Sequence, residues 1–206
     1  EMTSSLVGSE MCIRDRSAGG FTGTIIGCYV YNDTTPAHDR KLPAKDIGNP
    51  FGVEKFVFST AGQEYLSLVE NGKPVQIISD VNDYAGVIRA VGDLKDDFRK
   101  VSGNLPSVSG KTAIIVGTAG KSAIIDKLLR DGKIDKNELA GKNEKYVIQT
   151  IDNPTGDIQK ALIIAGSDKR GTIYGIYELS AQIGVSPWYW WADVPVEHQT
   201  NCLLYT

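Results

Sequence analysis

From Val53 onward the chain alternates between short apolar runs and amphipathic stretches. "EKFVFS" reads as a strand. "EYLSLVENGKPVQIIS" holds two β-rich runs on either side of Asn71-Gly72. Both of those residues tolerate positive φ, so the spacing predicts a hairpin. In "DVNDYAGVIRAVGDLKDDFRKVSG", Tyr84, Val87, Ile88, Val91, Leu94, Phe98 and Val101 recur at three- and four-residue spacing. That period predicts a helix with one buried face. Asp83 is placed to cap its start and Gly103 to end it.

"TAIIVG" is an unbroken apolar run and predicts a buried strand. "KSAIIDKLLRDG" predicts a helix with Ile124, Ile125, Leu128 and Leu129 inward, closed by Gly132. "KYVIQTI" and "KALIIAG" predict two strands, joined through the turn residues Asn153-Pro154-Thr155-Gly156. "GTIYGIYELSAQIG" predicts a last helix with Ile173, Ile176, Tyr177, Ser180 and Gly184 on one side. The order β-β-β-α-β-α-β-β-α predicts an α/β domain with an α+β tendency, in which helices pack on a mixed β-sheet. This ordered domain is expected over 53–186. Residues 17–52 are rich in Gly, Thr, Pro and Asp, with "TIIGCYVY" as one candidate strand, and read as a leader or linker. After Gly184 the texture changes: "VSPWYWWADVPVEHQ" holds every tryptophan of the chain, and residues 187–201 read as a segment leaving the domain.

The two ends do not share this patterning. One legal codon choice for Met11–Asp15 and the start of Arg16 is ATG TGT ATA AGA GAC AG. One for Cys202–Thr206 is TGT CTC TTA TAC ACA, and its reverse complement lies inside the first string. It matches a transposon end used in sequencing libraries, and Leu6–Glu10 translate the adapter that precedes it. Residues 1–16 and 202–206 are therefore expected to be adapter read-through, to be left out of fold reasoning, with the gene open at both ends.

Leaving them out changes the arithmetic. Residues 1–16 carry three carboxylates and two arginines, a net of −1, and 202–206 carry no charge, so the chain's formal net charge of −3 becomes −2. No basic excess points to nucleic acid or to an anionic membrane. Cys12 and Cys202 drop out and Cys28 is left alone, which excludes a disulfide framework and a cysteine metal site within the insert. No run is long and apolar enough for a transmembrane helix.

Three stretches invite chemistry. "VGTAGKS", Val116–Ser122, sits between a strand and a helix like a phosphate loop, but the required first glycine would fall at Ile115. The loop is too short, and a tight turn in which Gly117 and Gly120 supply unusual φ is the better reading. "AGSDKRGTIYG" puts Ser167, Asp168, Lys169 and Arg170 between a buried strand and the last helix, a common ligand position. Lys169 and Arg170 could grip a carboxylate; alternatively Ser167 or Asp168 caps the helix in a solvated loop. In "PWYWWADVP", alternation sends Trp188 and Trp190 to one side and Tyr189 and Trp191 to the other. Such rings suit sugar faces or an interdomain seam equally. Asp193 follows them as a ligand contact or a turn residue. His198 has no visible partner. Glu178, Asp152 and Asp168 are not linked by spacing into an acid and a base.

At "ALIIAGSDKRGTIYGIYELSAQIGVSPWYWWADVPV" the chain resembles the N-terminal region of glycoside hydrolase family 115, the xylan α-1,2-glucuronidases. "DYAGVIRAVGDLKDDFRKVSG", "AIIVGTAGKSAIIDKLLRDGKID" and "KYVIQTI" resemble it in the same order, from about Val53 to Gln199. The resemblance implies a domain similar to the second domain of hexosaminidases, placed before a (β/α)8 barrel that carries the catalytic machinery. It implies an inverting parent enzyme that releases glucuronic acid or its 4-O-methyl ether from a xylan-type polysaccharide, and that is secreted or periplasmic. It leaves a homodimer of the parent open. No cofactor, no metal, no nucleic acid and no membrane contact are implied. No catalytic residue carries over, so this fragment alone is expected to be inactive. Asp168, Lys169, Arg170, Trp188, Trp190, Trp191 and Asp193 stand as substrate-binding or interface candidates. A stand-alone carbohydrate-binding or scaffold module is the alternative.

Overall fold

In the computed structural model, residues 3–7, 10–14, 24–26, 29–31, 55–59, 65–189 and 194–205 are described, the first four segments as backbone only. They divide into two units. One comprises Glu1–Lys55 with Val185–Val196, the other Phe56–Gly184 with Glu197–Thr206. The first unit contains two antiparallel pairs: β1 (Thr3–Val7) with β2 (Glu10–Arg14), and β3 (Thr24–Ile26) with β4 (Tyr29–Tyr31).

The second unit runs β5 (Val57–Phe58), β6 (Tyr65–Glu70), β7 (Lys73–Pro74), β8 (Gln76–Ser79), α1 (Ala85–Ser102), β9 (Thr112–Thr118), α2 (Ala123–Arg130), α3 (Lys136–Leu139), β10 (Tyr146–Thr155), β11 (Ile158–Gly166), α4 (Lys169–Gln182) and β12 (Cys202–Tyr205). Its main sheet has the order β10-β11-β9-β8. Strands β8, β9 and β11 are parallel, and β10 returns antiparallel to β11. The sheet is therefore mixed, as the pattern predicts.

The apolar runs of β9 and β11 are unbroken because both of their faces are covered. Ala113–Val116 and Ala161–Ala165 are all fully buried. Ala113, Ile115, Ala161, Ile163 and Ala165 face α2 and α3 and join Ile125, Leu128, Ile134 and Leu139 in one cluster. Alternation turns Ile114, Val116, Leu162 and Ile164 to the opposite face, which α1 and α4 cover. The five buried Ile and Leu residues of these two strands contribute on the order of 10 kcal/mol by area removed from water, an upper figure.

Helix α1 buries Val87, Val91, Leu94, Phe98 and Val101 as expected. Tyr84 and Ile88 remain 39% and 41% exposed, because they lie on the flank of the stripe. Ala90 and Asp97 take inward places instead, and Asp97 Oδ1 accepts from Lys100 Nζ at 2.8 Å. Gly103 ends the helix in the left-handed region, as predicted. Asp83 does not cap it through the helix's own first turn: the N-cap is Tyr84, with no side-chain cap bond.

Helix α4 differs more. Its buried face is Gly171, Thr172, Gly175, Ile176, Leu179 and Ser180, while Tyr177 is exposed. The reason is close approach. A Cβ at Gly175 would stand 2.7 Å from Ile164 Cγ2 and 3.2 Å from the Tyr146 ring. Two glycines four apart let the helix lie nearly against the strands, and the larger residues turn away.

Two hairpin expectations are refined. Asn71 and Gly72 take φ of 51° and 74° at the β6–β7 turn. The second arm lasts only two residues, however, and the chain then crosses to the main sheet as β8. Between β10 and β11 the strand continues through Thr155, with an irregularity between Asp152 and Thr155. The turn thus falls later than the Asn153–Gly156 expected, although Asn153 does take positive φ.

Strands also occur within the two terminal segments. Within 202–206, β12 lies between β5 and β6 in a second sheet ordered β5-β12-β6-β7, with Cys202, Leu203 and Leu204 buried. Thr3–Val7 and Glu10–Arg14 pair antiparallel. Cys-Leu-Leu-Tyr is apolar and β-prone whatever encoded it.

Candidate functional site

The parallel strands β8, β9 and β11 end at one edge, at Ser79, Thr118 and Gly166. Their loops lead into α1, α2 and α4. In open α/β sheets this carboxyl edge is where ligands usually bind. Here it is lined by carboxylates, and each is held by the chain's own backbone.

After β8, Asp80 Oδ1 accepts from Asn82 N at 2.9 Å and Oδ2 from Ala123 N, at the start of α2, at 2.9 Å. The Asn82 N–H and then the Ala123 N–H hold its carboxyl below the usual range. Asp83, 6% exposed, accepts from Tyr84 N at 2.7 Å and from Thr118 N, at the end of β9, at 2.8 Å. It therefore ties α1 to the central strand. Thr118 Oγ1 meets Thr172 Oγ1 at 2.8 Å, and Thr172 Oγ1 donates to the Asp168 carbonyl at 2.9 Å.

The "VGTAGKS" turn contains no phosphate cradle. Ser122 caps α2 by accepting from Ile125 N. Asp126 Oδ1 takes Gly120 N at 2.7 Å, and Asp80 takes Ala123 N. Three donors that an anion would need are thus occupied by internal oxygens. Lys121 lies over the Tyr84 ring, 5.2 Å from its centre. Gly120 has φ of 77°, as the turn reading expects. Gly117 is corrected: it is an extended strand residue, needed because a Cβ there would sit 2.5 Å from Ser122 Oγ and 2.8 Å from Ile125 Cγ1.

At "AGSDKRG" the capping alternative is the one observed. Asp168 is the N-cap of α4 and accepts from Gly171 N at 2.8 Å through Oδ1. Its Oδ2 accepts from Glu144 N at 2.8 Å. These two N–H groups, Gly171 first, pull its carboxyl below the ordinary value. Arg170 pairs with Glu144 at 2.7 Å and donates to Tyr174 Oη at 3.0 Å. Lys169 is exposed at the helix start, its stem over Gly86 of α1. The structure therefore brings Asp168 and Arg170 onto one residue, Glu144, which takes φ of 56° between them.

Trp188 is half-buried, and its Nε1 is buried with no hydrogen-bond partner among the described residues. Trp190, Trp191 and Asp193 lie outside the described residues. His198 is exposed. Glu178 Oε1 accepts from Gln182 Nε2 at 2.9 Å. On the outer side of α4, Tyr177 donates to Asp93 Oδ2 at 2.9 Å, and burial together with that bond pushes its hydroxyl up to about 12. Among the described residues no group of three His, Cys, Asp or Glu side chains could hold a metal, and no helix is long and apolar enough to cross a membrane.

Two features of this edge escape a reading of the sequence. Asp83 ends a turn-rich "DVND" and looks like an ordinary cap, yet it reaches a strand 35 residues away. The Gly171–Gly175 spacing was the visible signal for close helix–sheet packing.

No family model matches the chain, and no curated protein matches it. Among solved structures it is similar to a family GH115 4-O-methyl-α-glucuronidase, BtGH115A, described as having specificity for decorated arabinogalactans. The two share 32% identity, with a TM-score of 0.53, over 71% of this chain. The chain spans 17% of that relative's length. It is thus related to a glycoside hydrolase, and corresponds to a small part of one.

Proposed function

We propose that this chain is the non-catalytic N-terminal α/β domain of a family GH115 glycoside hydrolase. The similarity to one GH115 enzyme over 71% of the chain carries the reading. The carboxyl edge of the sheet supports it, because its carboxylates and α2's first N–H groups bind one another rather than stand free. The parent removes (4-O-methyl)glucuronic acid from a decorated polysaccharide, with inversion. That chemistry needs an acid and a base roughly 6.5–9.5 Å apart, with room for a water between them, and they belong to the barrel. The polymer is xylan by the sequence resemblance, whereas the solved relative is described for decorated arabinogalactans. The sugar released is the chemistry common to both. Trp188 Nε1, buried and unpartnered among the described residues, suits a seam that the barrel completes, and Trp190, Trp191 and Asp193 follow it in sequence. The parent acts outside the cytoplasm, where its polymer is.

The test is to extend the coding sequence from source DNA in both directions. The reading expects a frame that leaves Cys-Leu-Leu-Tyr-Thr after Asn201 and continues into a barrel. A genomic frame that encodes Thr206 and then stops would sink it.

A further inference from the structure

The turn between β6 and β7 carries the one asparagine of the chain that a glycine follows, Asn71-Gly72. The turn demands that pair: Asn71 and Gly72 take φ of 51° and 74°, a region these two residues tolerate best. Chemically the same pair is the most labile setting for an asparagine. With no side chain on the following residue, its backbone nitrogen can reach the asparagine amide unobstructed. Here, however, three consecutive peptide units are clamped: Asn71 N donates to Asn201 Oδ1 at 3.1 Å, Gly72 N donates to the Thr200 carbonyl at 2.7 Å, and the Gly72 carbonyl accepts from Asn104 Nδ2 at 3.0 Å. Thr200 and Asn201 belong to a strap laid across the domain. It is held upstream where Glu197 N donates to the Gly184 carbonyl at 3.2 Å and Gln199 N to the Val101 carbonyl at 3.0 Å. Asn71 is exposed, whereas Gly72 is buried.

We propose that Asn71 is a site of spontaneous deamidation, that the Glu197–Asn201 strap holds the reaction back, and that the reaction, once complete, releases the strap. The step needs only water. Gly72 N loses its proton and attacks Asn71 Cγ. The new C–N bond closes a succinimide ring, and the side-chain nitrogen takes up a proton and leaves as ammonia. Water then opens the ring at either carbonyl, to aspartate or to isoaspartate. In the folded chain the proton that must leave is the one Gly72 donates to Thr200. The nitrogen that must swing toward Cγ sits between two further clamped peptide units. Reaction therefore passes through a local opening, at the unclamped rate multiplied by the open fraction. Each hydrogen bond is worth roughly a factor of two to ten in such an equilibrium, so together they slow the reaction by at least about tenfold. Isoaspartate routes the backbone through the former side chain. It inserts one carbon between the Cα at position 71 and Gly72 N, which moves that N–H off the Thr200 carbonyl. Either product also sets a new carboxylate next to Glu70. The change runs one way and is independent of the parent's activity.

The test is peptide mapping by mass on the full chain, aged in mildly alkaline buffer with and without urea. The Asn71 amide should become acid, partly as isoaspartate, at least about tenfold faster in urea than in the folded chain. Asn201→Ala and Asn104→Ala should each quicken the folded chain's reaction roughly two- to tenfold and leave the rate in urea unchanged. Asp131-Gly132 can also form isoaspartate, but without the mass change of a lost amide, so mapping separates the two. Aged chain with isoaspartate at position 71 should exchange its Gly72 and Gln199 amides faster than fresh chain while β9 and β11 stay protected. Equal rates with and without urea overturn the proposal, and this comparison needs no variant to fold. It is also overturned if both variants keep β9 and β11 protected yet age no faster than the unsubstituted chain, or if isoaspartate leaves Gly72 and Gln199 exchange unchanged.

Discussion

The same substitution, glycine to alanine, should change sign between two helices of this domain. Gly92, in the middle of α1, has nothing within 4 Å of where its Cβ would stand. Alanine there gains about 1 kcal/mol of helix propensity at no steric cost. Gly171 is the third residue of α4, and a Cβ there would overlap the Lys145 carbonyl oxygen, with the carbonyl carbon at 2.9 Å and the nitrogen at 3.0 Å. The obstacle is backbone, and it is pinned. Ser167 N donates to the Lys145 carbonyl at 2.8 Å, Lys145 N donates to Ser167 Oγ at 3.1 Å, and Glu144 N is bound by Asp168. The helix start must therefore move outward, stretching the 2.8 Å bond from Gly171 N to Asp168. Overpacking costs about 1–3 kcal/mol, loss of the cap about 1 more, and propensity returns at most about 1. The net is a loss of roughly 1–3 kcal/mol, or about 3–9 °C in Tm at roughly 3 °C per kcal/mol for a domain of this size. Thermal unfolding followed by circular dichroism, with urea midpoints as a check, should show Gly171→Ala falling and Gly92→Ala rising by about 3 °C. A Gly171→Ala protein as stable as the parent would refute the close-approach account of α4.

Other expectations follow from the carboxyl edge. Asp83→Ala leaves the Tyr84 and Thr118 N–H groups without their acceptor and should cost about 1–3 kcal/mol in urea unfolding; a loss under about 0.3 kcal/mol would show that water replaces it. Backbone N–H groups hold the carboxyls of Asp80 and Asp168 below the ordinary aspartate value, so their contribution is whole above the unfolded value and lost as pH falls through the lowered native one. Stability should therefore decline below about pH 4, and less steeply in Asp80→Asn or Asp168→Asn. Magnesium ATP should leave Tm unchanged, since Asp80, Asp126 and Ser122 already hold the donors around α2; a rise of several degrees would restore the phosphate-loop reading. In ultraviolet titration Tyr177 should ionise near 12, and Tyr177→Phe should remove that late component.

Much of the fold was legible, for reasons that differ by element. β9 and β11 announced themselves because strands buried on both faces must be continuously apolar. The centre of α1 was equally plain, whereas its margins were not: Tyr84 and Ile88 satisfy the period but sit off the buried stripe, and Asp97 breaks the period yet is buried beside Lys100. α4 misled because its contact face is made of small residues, and apolar size is a poor guide where backbones approach closely. The splitting of "GKPVQIIS" into β7 and β8 depended on which sheet each part joins, a tertiary choice. The site was half legible. The sequence offers Asp168 as either cap or ligand group, and its two backbone partners show it capping α4. Nothing local to Asp83 foretold its bond to Thr118, because that contact spans the sheet.

The account rests on this domain belonging to a glucuronidase whose chemistry lies elsewhere in the parent. The direct measurement is uronic acid release from glucuronoxylan and from a decorated arabinogalactan, by this chain and by the protein expressed from its full gene. The account predicts 4-O-methylglucuronic acid from at least one polymer with the full protein and none with the chain alone. Release by the chain alone, or a full protein inert on both polymers, would contradict it.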